Sequence, residues 1–542
     1  MTGRVQLPSP PGFRGTFRTD PSARAVYSEA AGIGRALPAA VAVPRDAADV
    51  SALLRWARER SLFLIPRGSG SSMAGGAIGH GVVVDTSRMR ETTAVDTTRR
   101  CVRIGAGVTR GEVQRLAAAS GLRFPVDPSS GEFCTIGGMV ATNAAGPHSL
   151  LHGPMRPWVL ALDCVFADGD TATVERGAPA APNAALRRFT RDAHPGLVAR
   201  TAHRSDARVI KNSSGYALEA YRQSHDLIDL LVGSEGTLAI FTAVTVALIP
   251  AAAASASLLV AFRDLERAVG AAVMARTNGV AACELLDRTF LRIAAEDGRP
   301  LPVPSDSEAA LMVEIEAHDT IAASMEAERL RTLFRRAGAD ESTVAVGPGD
   351  EAELWSFRHA ASPALAKLGA RLRSMQFIED AAVPPEALAA YVRGVREILD
   401  RNDTPGVIFG HAGDAHVHVN PLVDTSRADW RQRIERILLD VTDLVARLGG
   451  TASGEHGDGR LRTPLMDRTW SKEERELFAD IKRAFDPDAI LNPGVKVPLP
   501  NQRAIDVVKY DPALESLPED AARALAIVER ERAYARFRID LL

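Results

Sequence analysis

The chain has 542 residues, a formal net charge of −3 at pH 7, 46% hydrophobic residues and 25% charged ones. That length exceeds one ordinary core, so two or three domains are expected, and the even mixture of charges argues against a nucleic-acid partner. Four cysteines, Cys101, Cys134, Cys164 and Cys283, are scattered without a CxxC pair, which argues against a zinc ribbon, an iron–sulfur site or a disulfide framework, and suits a reducing cytoplasm.

The opening "MTGRVQLPSPPGFRG" has no apolar core and reads as no signal peptide. Apolar stretches such as "LIPAAAASASLLVAF" are too short for a membrane span. In "RDAADVSALLRWARER" Val50, Leu53, Leu54 and Ala57 recur on one face, which predicts a helix capped by Asp46. The short apolar run "LFLI" predicts a buried strand. The glycine-rich "PRGSGSSMAGG" (66–76) follows, then strands at 81–85 and 101–107. Thr109 and Glu112 have capping-box spacing, so a helix is expected there, closed by Gly121. Alternating strands and helices predict an α/β or α+β domain. From about residue 255 the glycine motifs thin out, and a strand–helix–strand–helix pattern predicts a second domain, an antiparallel sheet covered by helices. The charged tail 511–542 has helix-forming composition; it packs on its own domain or docks a partner or second subunit.

The loop at 66–76 is not a Rossmann loop. Met73 stands where the third glycine of GxGxxG belongs, and no amphipathic helix follows to receive a pyrophosphate. It is also longer than the roughly two to five residues of a plain hairpin turn. Successive N–H groups can point at one anion where no Cβ intervenes, so an anion with several oxygens is the expected occupant. Further glycine clusters lie at "TIGGMVATNAAGPHSLLHG" (135–153), "KNSSGYAL" (211–218) and "GSEGTLAIFT" (233–242). Together they imply an extended ligand touching backbone at several points, as a dinucleotide does.

Two segments carry chemistry. "GHAGDAHVHVN" holds His411, His416 and His418, and "GEHGDG" sets Glu455 beside His456. On a strand His416 and His418 share a face, and Gly413 allows a bend that returns His411. Neutral imidazoles and a carboxylate suit Zn²⁺, with Mn²⁺ or Fe²⁺ as alternatives. Three histidines in eight residues beside a glycine-framed Glu–His pair outweigh a reading as scattered surface histidines.

"PRGSGSSMAGG", "TIGGMVATNAAG", "GSEGTLAIFT" and "FDPDAILNPG", in this order, resemble the FAD-binding oxidoreductases of the vanillyl-alcohol oxidase / p-cresol methylhydroxylase superfamily. "GHAGDAHVH" with "GEHGDG" resembles its D-lactate and D-2-hydroxyglutarate dehydrogenase branch. The resemblance implies an α+β fold: a two-part FAD-binding domain (1–250), an antiparallel-sheet cap or substrate domain (251–485), and a C-terminal segment (486–542) returning to the FAD side with its helical tail. It implies FAD at Pro66, Arg67, Gly68, Ser69, Gly70, Ser71, Ser72, Thr135, Gly137, Gly138, Thr142, Asn143, Gly146, Glu235, Gly236, Thr237, Ile240 and Asn492. Ser71 stands where some relatives carry a flavin-linked His, which implies non-covalent FAD.

The metal ligands implied are His411, His418 and Glu455, with His456 as general base and Arg358, from "ELWSFRHAASPAL", as the substrate-carboxylate guanidinium. The branch's usual "GDGN" is "GDAH" here, so His416 enters as a fourth ligand or a donor behind the ligands. A Lys common before the Asp of "IEDAAVP" is missing, which counts against a dicarboxylate unless Arg371 or Arg373 substitutes. The implied reaction is metal-assisted oxidation of a D-2-hydroxy acid to the 2-oxo acid by hydride transfer to flavin. Electrons pass on to a separate iron–sulfur protein, quinone or cytochrome, or to oxygen, from a cytoplasmic protein peripheral to the inner membrane through that partner; the tail leaves room for a homodimer. The rivals are a flavin oxidase of another alcohol, of sugar or alkyl-glycerone phosphate type, and a flavin electron-transfer subunit.

Overall fold

Runs of Ala and Val without polar alternation need cover on both faces, and they build the first sheet. In the computed structural model, which describes residues 7–199, 209–296, 302–366 and 372–542, Thr16–Arg18, Ala40–Val43, Val82–Asp85 and Leu64–Arg67 lie side by side in that order. The Thr16–Arg18 edge is antiparallel and the other pairings are parallel. Helix Ala47–Glu59 follows Ala40–Val43 as expected; Asp46 caps it by accepting the Asp49 N–H, and Val50, Leu53, Leu54 and Ala57 pack in the core beneath. Between the parallel neighbours Leu64–Arg67 and Val82–Asp85 the crossover is loop throughout, because the glycine-rich run occupies it. A crossover needs about a dozen residues or more, most often a helix; here that length wraps a cavity instead.

A second sheet is antiparallel, in the order Cys101–Gly105, Ile240–Ala247, Val159–Val165, Thr171–Glu175. The Thr109–Glu112 capping box is formed and starts helix Arg110–Ala118. Val165, Ala167 and Ile240 join the core of the first sheet, which fixes the two halves to each other.

The cap is a seven-stranded antiparallel sheet: Glu341–Val346, Ala254–Phe262, Ala309–Ala317, Ala282–Asp287, Gly406–Gly410, His418–Asp424, Leu372–Ser374. Helices Leu265–Thr277, Thr320–Arg336, Leu388–Arg401 and Trp430–Arg447 bury their apolar stripes on one face. Leu259, Leu286 and Met312 point to the other face and pack with Phe290 and Leu354.

Two details differ from the sequence reading. The strand after the histidine motif begins at His418, and His416 sits just before it in a single bridge to Ala382, its ring still beside that of His418. Ala415, with φ +53°, turns the chain there. The return to the N-terminal half is also early: Met466, Trp470, Leu477, Phe478, Ile481 and Phe485 already pack in the core of the second sheet. The tail helix Glu519–Glu531 lays Ala521 and Ala524 against Ala25, Val26 and Tyr27 of its own chain. Among the described residues no helix is long and apolar enough to cross a membrane.

Candidate functional site

One cavity of about 830 Å³ runs between the N-terminal half and the cap, within the roughly 300–1,000 Å³ span of cofactor and ligand sites. Pro66–Met73 form one wall, with Thr135, Gly137, Gly138, Thr142, Glu235, Gly236 and Ile240. The glycines are close-approach positions. A Cβ on Gly68 would lie 2.1 Å from Thr135 Oγ1, and one on Gly236, at φ +70°, 2.9 Å from Pro66 Cγ. Ser69 Oγ donates to Ser71 Oγ, while the buried Ser72 Oγ and the Nε and Nη2 of buried Arg67 have no partner. Unsatisfied donors beneath a side-chain-free loop fit an anion such as the FAD pyrophosphate.

Four expected cofactor residues stand behind this wall instead of on it, because their polar groups are already used. Asn143 ends helix Ile136–Thr142 in a left-handed conformation, and its Oδ1 accepts the Arg156 N–H. Gly146 packs on the Asp127 carbonyl. Thr237 Oγ1 donates to Ser234 O at 2.6 Å. Asn492 Nδ2 donates to Gly76 O and Glu235 O, at 3.0 and 2.8 Å, and so ties two lining segments together. Even on the wall some groups are spent: the Gly137 N–H donates to Ala106 O, and Thr135 Oγ1 accepts from the Gly138 N–H.

Leu372–Ser374, Gln376, Phe409, His418, Asn420, Glu455, His456 and Arg358 line the same cavity from the cap side. The antiparallel pairing of Phe409 with His418 brings both ends of the histidine motif to one place, and "GEHGDG" lies across from it. His411 Nε2 and His418 Nε2 stand 3.2 and 3.5 Å from Glu455 Oε1. The other nitrogen of each ring is committed: His411 Nδ1 to Glu284 Oε1 at 2.5 Å, and His418 Nδ1 to the Glu379 carbonyl at 2.9 Å. Such outer bonds orient each ring, as at metal sites, although, against burial, Glu284 and Glu455 raise the His411 pKa to about 9, so that its Nε2–H donates to Glu455 until a cation takes the place of that proton. Lys211 Nζ sits 3.2 Å from Glu455 Oε2 and 3.1 Å from Asp414. Ligand atoms of His411, His416 and Glu455 lie within 4.8 Å of one another, as do those of Asp380, His418 and His456, so the donors fit a divalent cation, with His418 in the adjoining group.

Charge is steeply graded here. Burial opposes ionisation of Glu455, but Lys211 and His411 hold its carboxyl well below the usual range. Burial also opposes a charged His456, yet the Asp380 and Glu379 carboxylates, 3.3 and 3.2 Å from Nδ1, prevail and push it up to about 9. These carboxylates thus favour the imidazolium and lift His456 above the ordinary value of about 6.5 expected of a base. Arg358 is buried on the cavity wall with its Nε donating to Glu284 at 2.7 Å, and its guanidinium lies 5.1 Å over the Phe409 ring. Arg373 lines the cavity too, and Arg371 lies outside the described residues.

Sequence reasoning missed several groups. Glu284 and Asp380 orient two of the histidines, Arg462 pairs with Glu379, and Lys496 lies 3.0 Å from both Glu235 and Asp458. The available signal was a charged residue inside an apolar run: "AACELL", "FIEDAAV", "PGVKVP". The tail was missed as well: Tyr510, Arg532 and Tyr534 line the cavity, and Tyr534 stacks near Phe133 at 5.2 Å.

The sequence matches the "FAD binding domain" family over residues 38–175 and the "FAD linked oxidases, C-terminal domain" family over 251–495. It is 33% identical to the D-lactate dehydrogenase of Archaeoglobus fulgidus over 84% of this chain and 90% of that one. It is 29% identical to the glycolate oxidase subunit GlcD of Bacillus subtilis, over 88% and 93%. The fold is similar to a solved alkyldihydroxyacetonephosphate synthase, with a TM-score of 0.60, 16% identity and coverage of 88% and 82%. The cavity between a glycine-lined half and an antiparallel cap thus has its counterpart in sequence, and the chain belongs to the FAD-linked oxidoreductases of the vanillyl-alcohol oxidase / p-cresol methylhydroxylase superfamily.

Proposed function

We propose that the chain oxidises a D-2-hydroxy acid to the 2-oxo acid, with non-covalent FAD along the glycine loops and a divalent cation held by His411, His418 and Glu455. One observation carries this reading: the loop Pro66–Met73 and the group His418, Glu455, His456 and Arg358 bound a single cavity. The names of the similar D-lactate dehydrogenase and glycolate oxidase subunit support the substrate class. Glycolate has no stereocentre, so the D hand rests on the former alone.

Bound FAD supplies a hydride acceptor, and a bound divalent cation supplies charge that acidifies a hydroxyl. The chain's residues do the rest. Arg358, held by Glu284 and braced on Phe409, receives the substrate carboxylate, for which a planar guanidinium suits two parallel hydrogen bonds. His456 takes the hydroxyl proton in its neutral form, which a neighbouring positive charge favours over the imidazolium. As the O–H proton leaves, the C2–H bond breaks with its electron pair on hydrogen, and C2–O becomes a carbonyl. Ser71 offers no nitrogen for a covalent flavin link. The chain's four cysteines are buried and unpaired, so the electrons leave through a separate iron–sulfur protein, quinone or cytochrome, or to oxygen.

The test is anaerobic bleaching of bound flavin against D- and L-2-hydroxy acids, repeated after chelation. Rapid bleaching by one D-acid, slowed by the chelator, is expected. A loaded flavin that no acid bleaches overturns the reading and favours another alcohol or an electron-transfer role.

A further inference from the structure

His416 is the one imidazole of the three whose second nitrogen meets nothing. The ring is fully buried. Its Nε2 donates to Asp380 Oδ1 at 3.1 Å, and its Nδ1 has no hydrogen-bond partner. That bare nitrogen stands 3.9 Å from Glu455 Oε2. The three rings form a tight triangle, with centroids 5.5 Å apart for His411 and His416, 5.1 Å for His411 and His418, and 4.8 Å for His416 and His418.

All three rings share one construction. Each donates from one nitrogen to a fixed oxygen, of Glu284, Asp380 or Glu379, and each turns its other nitrogen toward Glu455. The backbone is shaped to admit the extra ring. Ala415 adopts φ +53° to turn it inward, and a Cβ on Gly454 would lie 2.7 Å from His416 Nε2. Asp380 is itself pinned by Ser453 Oγ and the His456 N–H, so its grip on His416 is rigid. A buried acceptor without a donor costs free energy unless something fills it. A cation among the imidazoles would fill it.

We propose that His416 Nδ1 is a third imidazole ligand of the cation, joining His411 Nε2, His418 Nε2 and Glu455. This rests on the reading that a cation binds at Glu455, and it departs from the Asn-bearing pattern that the sequence resembles at this position. Four protein ligands, three of them nitrogen, leave fewer open positions for substrate oxygens and shift preference toward Zn²⁺ and Co²⁺ over the oxygen-seeking Mn²⁺.

The test is Co²⁺ substitution of the metal-stripped, FAD-loaded protein, read by the hyperfine-shifted exchangeable imidazole N–H signals in proton NMR. Each ligating ring contributes one such signal. Three are expected for the wild type and two for His416→Asn and for His416→Gln. Zn²⁺ affinity, measured by chelator competition, should fall about 10- to 100-fold in both variants, and Mn²⁺ affinity by much less. Unchanged FAD content and near-UV circular dichroism report that each variant is folded. Two signals in the wild type, or Zn²⁺ affinity within about threefold of it in both folded variants, overturn the third ligand. Wild-type protein that binds neither Co²⁺ nor Zn²⁺ overturns it too. Flavin bleaching by a D-acid in that metal-free protein would then show that the hydride chemistry survives the loss of this site.

Discussion

Six of the chain's 65 Lys and Arg residues are lysine, and three of these, Lys211, Lys482 and Lys496, are buried in ion pairs. A compact ammonium with three rotatable donors fits where a planar guanidinium does not. Lys211 illustrates this, wedged between Glu455 and Asp414. Lys211→Met removes the ammonium that faces both carboxylates and leaves them buried, a change that costs about 3–5 kcal/mol in comparable cases. The expected result is a clear fall in the thermal unfolding midpoint, together with a less depressed Glu455. A midpoint within a degree of the wild type would mean that the carboxylates find another counter-charge. Scarce lysines in an arginine-rich chain were a legible clue to these positions. Lys482 pairs with Asp486 one turn on, but the partners of Lys211 and Lys496, Glu455, Asp414, Glu235 and Asp458, were not legible because they come from distant segments.

At the scale of elements, local signals carried far. Asp46 and the Thr109–Glu112 pair cap the helices they were expected to cap, because capping is satisfied within one turn. The glycine loop was legible as a cradle, though which of its glycines matter depends on what approaches them. Gly68→Ala pushes a Cβ to 2.1 Å from Thr135 Oγ1, so the loop or the neighbouring helix start must move. We expect a sharp drop in flavin-to-protein ratio after gel filtration and a stability loss of about 1–3 kcal/mol. Gly270→Ala is the contrast. It lies inside helix Leu265–Thr277 with open space around it, and should raise stability by up to about 1 kcal/mol while leaving flavin content unchanged. Equal effects from the two changes would refute the steric account. His416 and His418 do share a face, with ring centroids 4.8 Å apart, although the strand proper begins only at His418 and Ala415 turns the chain just before them.

Across the whole molecule, the two halves meet at a charged joint. His148 lies between Asp127, 2.5 Å from Nδ1, and Glu314 of the cap strand Ala309–Ala317, 2.8 Å from Nε2. His152, Glu316 and Arg123 continue the network, and the Trp355 ring stacks over His148. Burial alone would discourage the imidazolium, but Asp127 and Glu314 raise its pKa well above the ordinary value. The folded pKa exceeds the unfolded one, so this pairing contributes fully below about pH 6.5 and is lost as pH rises through the raised value. Thermal midpoints of the wild type and His148→Gln should differ most near pH 6 and converge toward alkaline pH. A gap that widens with pH would contradict the sign.

Read alone, the sequence determined the superfamily, the glycine-rich loop beside the cavity and the helix caps. Each of these depends on spacing within a few residues, or on a motif whose backbone geometry travels with it. Only tertiary structure decided which residues face the cavity. Asn143, Gly146, Thr237 and Asn492 carry the right chemistry but spend it on backbone behind the wall. Tertiary structure alone also brought Glu284 to His411, Asp380 to His416, and the tail's Tyr534 to Phe133. It also raised the pKa of His456, since a pKa answers to whichever carboxylates the fold sets beside it, here Asp380 and Glu379. A side chain's type is fixed by its codon, whereas its partner, and so its charge and its vacant nitrogen, is fixed by long-range packing.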